Sequence, residues 1–145
     1  MPAELPSAPV DTIIRRNAGG LRVSAEATER LAERIQRHGA ALAIEAATRA
    51  DAKGRKTLMA SDFETEAVPR REELVLPIAP VDRIARLEID DRYRVSMDAR
   101  VALAGILEEY ADRIATAAAR LARHADRRTI TGSDVETYFD LPTRQ

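Results

Sequence analysis

Two stretches of about 27 residues without proline carry the clearest apolar pattern in the chain, from Ala25 to about Asp51 and from Met97 to about Ala125. Leu31, Ile35, Leu42 and Ala46 in the first, and Val101, Leu107, Ile114 and Leu121 in the second, recur at steps near 4 and 7, which places them on one helical face. Ser24 and Ser96 stand just before these runs as natural N-caps. A helix of this length spans ~40 Å, too long to pack within a unit of about 65 residues, so its flanks need a partner of similar length. Shorter helices are expected from about Pro9 to Asn17 and from about Pro80 to Ile89, with each proline in a first turn that needs no backbone donor. Gly19-Gly20 breaks the first, and Asp90-Asp91 follows the second. The loops GRKT (54–57) and DRRT (126–129) close the long helices. A last short helix is expected near 60–67 and again near 132–141, ending before Pro69 and Pro142. EAVPRREE (66–73) is charged, broken by proline and without helical periodicity, as a linker is.

The same short–long–short pattern therefore occurs twice, and the letters repeat with it. LPSAPVD (5–11) matches LPIAPVD (76–82), LRVS (21–24) matches YRVS (93–96), and GRKTLMASD (54–62) matches DRRTITGSD (126–134). The offset is 71 residues at first and then holds at 72 from Arg22 to Asp62. Shared helical composition does not keep R-V-S, R-[KR]-T and S-D in register, so the chain is a duplication. The period is longer than those of solenoid arrays and implies two related modules.

Composition narrows the classes. Aromatics are 3% of the chain, so the core rests on Leu, Ile, Val and Ala. There is no cysteine, which removes disulfides and thiolate metal sites. No apolar run reaches the ~18 residues of a membrane span, and no basic-then-apolar leader opens the sequence, as expected of a soluble intracellular protein. Lys+Arg total 23 against 24 Asp+Glu, a net charge of −1, where a nucleic-acid binder is ordinarily basic. Yet only Lys53 and Lys56 are lysines, and arginine suits bidentate phosphate contacts better than lysine does. His38 and His124 both fall in the long-helix patterns, and neither a metal-ligand spacing nor a glycine-rich phosphate loop occurs. An enzyme, a cofactor, a metal and a small-molecule substrate are not expected.

LPIAPVDRIAR, YRVSMDARVALAGILEEYADRIA and ARLARHADRRTITGSDVE closely resemble an archaeal histone, and LPSAPVDTIIRR, LRVS and GRKTLMASD resemble a diverged second one. The resemblance implies an all-α histone doublet: tandem histone folds over 1–68 and 76–145, joined by 69–75, forming within one chain the handshake pair that single histones make from two. It also implies sequence-tolerant binding of double-stranded DNA, bent or wrapped, on the chromosome in the cytoplasm. By the same resemblance Arg22 and Arg94 enter the inward-facing minor groove, Lys56, Thr57, Arg128 and Thr129 hold neighbouring phosphates, and Arg15, Arg16, Arg83 and Arg86 present charge at a central surface. Arg55 with Asp62, and Arg127 with Asp134, are expected as internal clamps.

In the family, a leucine and a histidine near the end of the long helix, with an aspartate of the last helix, join one dimer to the next. Leu121, His124 and Asp134 fill those positions in the second fold, whereas the first has Arg49, Ala52 and Asp62. Doublets are therefore expected to pair through their second folds. The alternative is a histone-fold component of a transcription-related assembly with little direct DNA contact, which the near-neutral charge favours.

Overall fold

A computed structural model describes residues 4–65 and 68–142. Helix α1 (Ser7–Arg16), strand β1 (Arg22–Val23), long helix α2 (Ala25–Ala52) and strand β2 (Thr57–Leu58) are followed by a 3-10 turn at Ala60–Phe63. The second half repeats the order with α3 (Ile78–Arg86), β3 (Arg94–Val95), α4 (Met97–His124), β4 (Thr129–Ile130) and α5 (Gly132–Tyr138). No helix among the described residues is long and apolar enough to cross a membrane.

The long helices begin where their caps are. Ser24 Oγ accepts from the Ala27 amide at 3.0 Å, and Ser96 Oγ accepts from Ala99 at 3.1 Å, each cap contributing about 1 kcal/mol. They end in the same turn, with Arg55 N–H donating to Ala50 O and Arg127 N–H to Ala122 O, both at 2.9 Å. Gly54 supplies the left-handed residue in the first turn (φ 72°), and Asp126 is held at φ 56° in the second.

The first short helices start earlier than the prolines indicate, at Ser7 and Ile78, with Pro9 and Pro80 third in each helix. The physical reason is that the first four helical amides have no intrahelical acceptor, so a missing N–H is tolerated anywhere in that turn. Val81 N–H to Pro77 O is the first ladder bond of α3. That helix also stops at Arg86, short of Ile89.

The last helix of the first half differs more. Of the helix expected near 60–67, residues 60–65 form the 3-10 turn Ala60–Phe63 in place of an α-helix, with Glu64 left-handed at φ 54°; positions 66 and 67 lie outside the described residues. In the second half, α5 is followed by Phe139, whose ring lies 4.0 Å beneath the Arg34 guanidinium and near Tyr110. At the matching offset the first half has Glu64, Thr65, Glu66 and Ala67, with no ring to anchor a further turn.

The halves interlock. β1 runs parallel to β4, and β2 runs parallel to β3, so each half's first loop is hydrogen-bonded to the other half's second loop. This pairing sets α2 and α4 antiparallel, and they meet near their middles, where Gly39 lies against Leu107. One continuous core draws on both halves, with Ile13, Leu31, Ile35, Leu58, Ile84, Leu103, Leu107, Ile114 and Ile130 essentially without solvent contact. The segments leading into α1 and α3 are tied down alike: Glu4 N–H donates to Gln36 Oε1 at 2.5 Å, and the Val75 and Leu76 amides donate to Glu108 Oε1.

Candidate nucleic-acid interface

Each parallel strand pair is two residues long and brings an arginine beside a threonine from the other half. Arg22 stands opposite Thr129, and Arg94 opposite Thr57. Arg22 N–H donates to Arg128 O, and Arg94 N–H donates to Lys56 O, both at 2.8 Å. The next residues complete the ladder, Ser24 N–H to Ile130 O and Ser96 N–H to Leu58 O at 3.0 Å. The same serine thus caps a long helix with its hydroxyl and closes a strand pair with its amide. Because α2 and α4 are antiparallel, the two strand pairs lie at opposite ends of helices that are each 28 residues long, about 40 Å apart.

The clamps under both loops are formed. Asp62 accepts from Arg55 at 2.8 and 3.0 Å and from the Met59 amide at 2.8 Å. Asp134 accepts from Arg127 at 2.7 and 2.5 Å and from the Thr131 amide at 2.8 Å. Each arginine also bonds the backbone oxygen of the adjacent threonine, Thr57 or Thr129, so the clamp fixes the residue at the loop tip. The Arg55 hydrogen bonds hold the Asp62 carboxyl below the usual range against the opposing effect of burial. Burial would raise Asp134, but Arg127 and Thr131 together outweigh it and leave that carboxyl low as well.

The candidate cations divide into two groups. Arg22, Arg94 and Arg128 are exposed, and their side chains have no hydrogen-bond or ion-pair partner among the described residues. The helix-one arginines are compensated: Arg15 by Asp11 at 2.6 Å, Arg83 by Glu4 at 3.5 Å, and Arg86 by Asp82 at 3.1 Å. Arg16 departs furthest from the expected central surface. It bonds Asp112 at 3.0 and 2.8 Å and reaches Glu108 at 3.4 Å, and the Asp112 bonds raise its already high pKa. Asn17 joins the same Asp112 at 2.7 Å. Arg16 is a seam between α1 and α4.

Three participants carry no signal in the sequence. Arg123 Nη2 donates to Ala18 O at 2.7 Å and packs against Gly19, stapling the end of α4 to the first loop. Arg100 lies 3.1 Å from Asp82, which also pairs with Arg86, so α4 brings a second cation to that α3 carboxylate. Asp51 bonds Lys56 at 2.7 Å and also accepts from the Tyr93 hydroxyl. In each case the partner lies on another element, so no local spacing points to it.

At the end of the second fold, Leu121, His124, Tyr138 and Leu141 line an open hollow of about 550 Å³, and Leu141 is 45% exposed. Asp134 does not project into this face, because its carboxylate is turned into the clamp and the residue is 3% exposed. The matching face of the first fold is closed by charge: Arg49, at the position of Leu121, bonds Asp62 O at 2.8 Å and pairs with Glu64 at 2.6 Å.

Two short–long–short helical modules clasped through exchanged loops define a histone-fold pair within a single chain. A profile of the histone-like transcription factors (CBF/NF-Y) and archaeal histones matches twice, at residues 3–65 and 74–137, and the chain belongs to that family. It is 50% identical over 60 residues to the archaeal histone HAN1 of Thermococcus zilligii, a match covering 41% of this chain and 87% of that protein. The crystal structure of the histone from Methanopyrus kandleri superimposes with a TM-score of 0.71 at 28% identity, covering 96% of this chain and 97% of that one. The family is one of non-enzymatic, DNA-binding architectural proteins of chromatin.

Proposed function

We propose that this chain, as two histone folds over 1–68 and 76–145 joined by 69–75, is a chromosome-associated protein that bends or wraps duplex DNA without reading its sequence. The observation that carries this is the set of exposed, unpaired arginines at the paired loops: Arg22 and Arg128 at one end, Arg94 at the other. In a chain of net charge −1, counterion release comes from cations not already neutralised by the protein, and the paired loops offer these three, with Arg22 and Arg94 each opposite a threonine of the other half. A span of about 40 Å between the ends exceeds one turn of DNA, about 34–36 Å, so a duplex engaged at both ends follows the protein for more than one turn. Arg15, Arg83 and Arg86 supply a weaker central contact because each carries its own carboxylate. The experiment is energy transfer between dyes on the two ends of a random-sequence duplex. Binding that brings the ends together supports the function, and binding with unchanged end-to-end distance contradicts bending.

Self-association is proposed through the second fold alone. Leu121, His124, Tyr138 and Leu141 offer a concave apolar face, with Asp134 acting from beneath by fixing the start of α5. The Arg49–Glu64 pair and the missing helical turn close the first-fold end, which favours a closed pair of doublets over a filament. The balanced charge and compensated helix-one arginines favour a second reading, a component of a larger transcription-related assembly; a folded protein that ignores duplex DNA at low salt would support it.

A further inference from the structure

The two paired-loop ends are related by the internal repeat, yet their charges are arranged differently. Lys56 and Arg128 occupy the same position in the two halves. Arg128 is exposed and has no side-chain partner among the described residues. Lys56 Nζ sits 2.7 Å from Asp51 Oδ1 and 4.8 Å from the centre of the Tyr93 ring. The Tyr93 hydroxyl donates to the other oxygen of Asp51, so the carboxylate is held from two sides and cannot swing away freely. The hydrogen bond to Lys56 and then that to Tyr93 hold the Asp51 carboxyl below its ordinary value, and Asp51 in turn raises Lys56. At the other end the residue matching Asp51 is Arg123, turned inward onto Ala18 O, and the residue matching Tyr93 is Leu21. Among the described residues no carboxylate pairs with Arg128 there.

We infer that Asp51, positioned by Tyr93, is a built-in competitor for the DNA phosphate at Lys56, so that the protein grips DNA through the Arg22–Arg128 end and engages the Arg94–Lys56 end conditionally. This rests on the DNA-binding reading above. A phosphate reaching Lys56 must displace a fixed carboxylate or sit beside it against its charge, whereas a phosphate reaching Arg128 displaces only water and counterions. One end is open to phosphate and the other is latched.

The test is duplex binding across a salt series for wild type, Asp51→Asn, Lys56→Gln, Arg128→Gln and the Asp51→Asn/Lys56→Gln double variant, each checked for helical content. Asparagine still accepts from Tyr93 but no longer holds the ammonium. The expected result is several-fold tighter binding by Asp51→Asn at low salt, with the salt dependence steeper by about one phosphate contact. Adding Lys56→Gln removes both gains. In the otherwise native protein Lys56→Gln weakens binding less than Arg128→Gln does. If wild type binds but Asp51→Asn matches it in affinity and salt slope, or Lys56→Gln and Arg128→Gln lose equally, the latch is wrong. If the folded wild type binds no DNA at all, the DNA-binding reading itself falls.

Discussion

The carboxylate of Asp62 accepts both arms of the Arg55 guanidinium, at 2.8 and 3.0 Å, while the residue has no exposed surface. This places a charged hydrogen-bonded pair directly under the loop that carries Lys56 and Thr57. Asp62→Ala leaves Arg55 and the Met59 amide without their acceptor and is expected to cost about 2–3 kcal/mol, as losses of charged hydrogen bonds do. Acid is expected to act on the same pair. The folded carboxyls of Asp62 and Asp134 lie below their ordinary value of 3.8, so the unfolded chain binds protons first as pH falls. Their stabilisation is therefore complete above about pH 4 and is lost as pH drops through the folded values. Acid unfolding followed by circular dichroism should show a shallower decline below that pH in Asp62→Asn than in wild type.

His38 gives a second pH effect at milder values. Its ring stacks on Tyr110 with centroids 4.0 Å apart, and burial, followed by the nearby Arg113 charge, lowers its pKa from 6.5. Below about pH 6.5 the unfolded chain takes up a proton that the folded one resists, so stability falls as pH drops and is unaffected at higher pH. Thermal midpoints measured from pH 7.5 to 5 should decline less in His38→Phe than in wild type.

Gly39 tests the crossing of the long helices. A Cβ built there would lie 2.7 Å from Ile84 Cγ2 and 3.0 Å from Leu107 Cδ1. Alanine gains about 1 kcal/mol in helix propensity, which offsets much of the cost of displacing Ile84, so Gly39→Ala is expected near neutral. Gly39→Leu has no such compensation and should cost about 3 kcal/mol, the upper range for overpacking. Denaturant midpoints of the two variants separate these outcomes.

The second-fold face is tested by oligomeric state. Leu121→Arg places there the residue type found at position 49 and is expected to leave a single doublet by light scattering at concentrations where wild type pairs. The same larger species in wild type and Leu121→Arg would contradict pairing through this face.

Much of the fold is legible in the sequence because its signals are local. The apolar steps from Leu31 and from Val101, the serine caps and the seven-residue separation of each clamp pair are properties of one element or one turn. The exchange of loops is implied by the resemblance to archaeal histones, which the duplicated register carries over both halves. What the spacing does not show depends on partners from the other half. Asp112 takes Arg16 away from the central surface, and Tyr93 braces the carboxylate that holds Lys56. The shortened last helix of the first half follows from the absence of an aromatic anchor where the second half has Tyr138 and Phe139, a packing effect that the shared SD motif does not reveal. Asp134 fits both a clamp and an interface by sequence position, and its burial leaves it with the clamp.

The most direct test of the central claim is binding to a random-sequence duplex across a salt series, for wild type and for an Arg22→Ala/Arg94→Ala double variant. Wild type is expected to bind with affinity falling steeply as salt rises. The variant should bind far more weakly, with a salt slope reduced by about one to two contacts. Equal binding by the folded variant, or no binding by folded wild type even at low salt, would contradict an interface anchored on the paired-loop arginines.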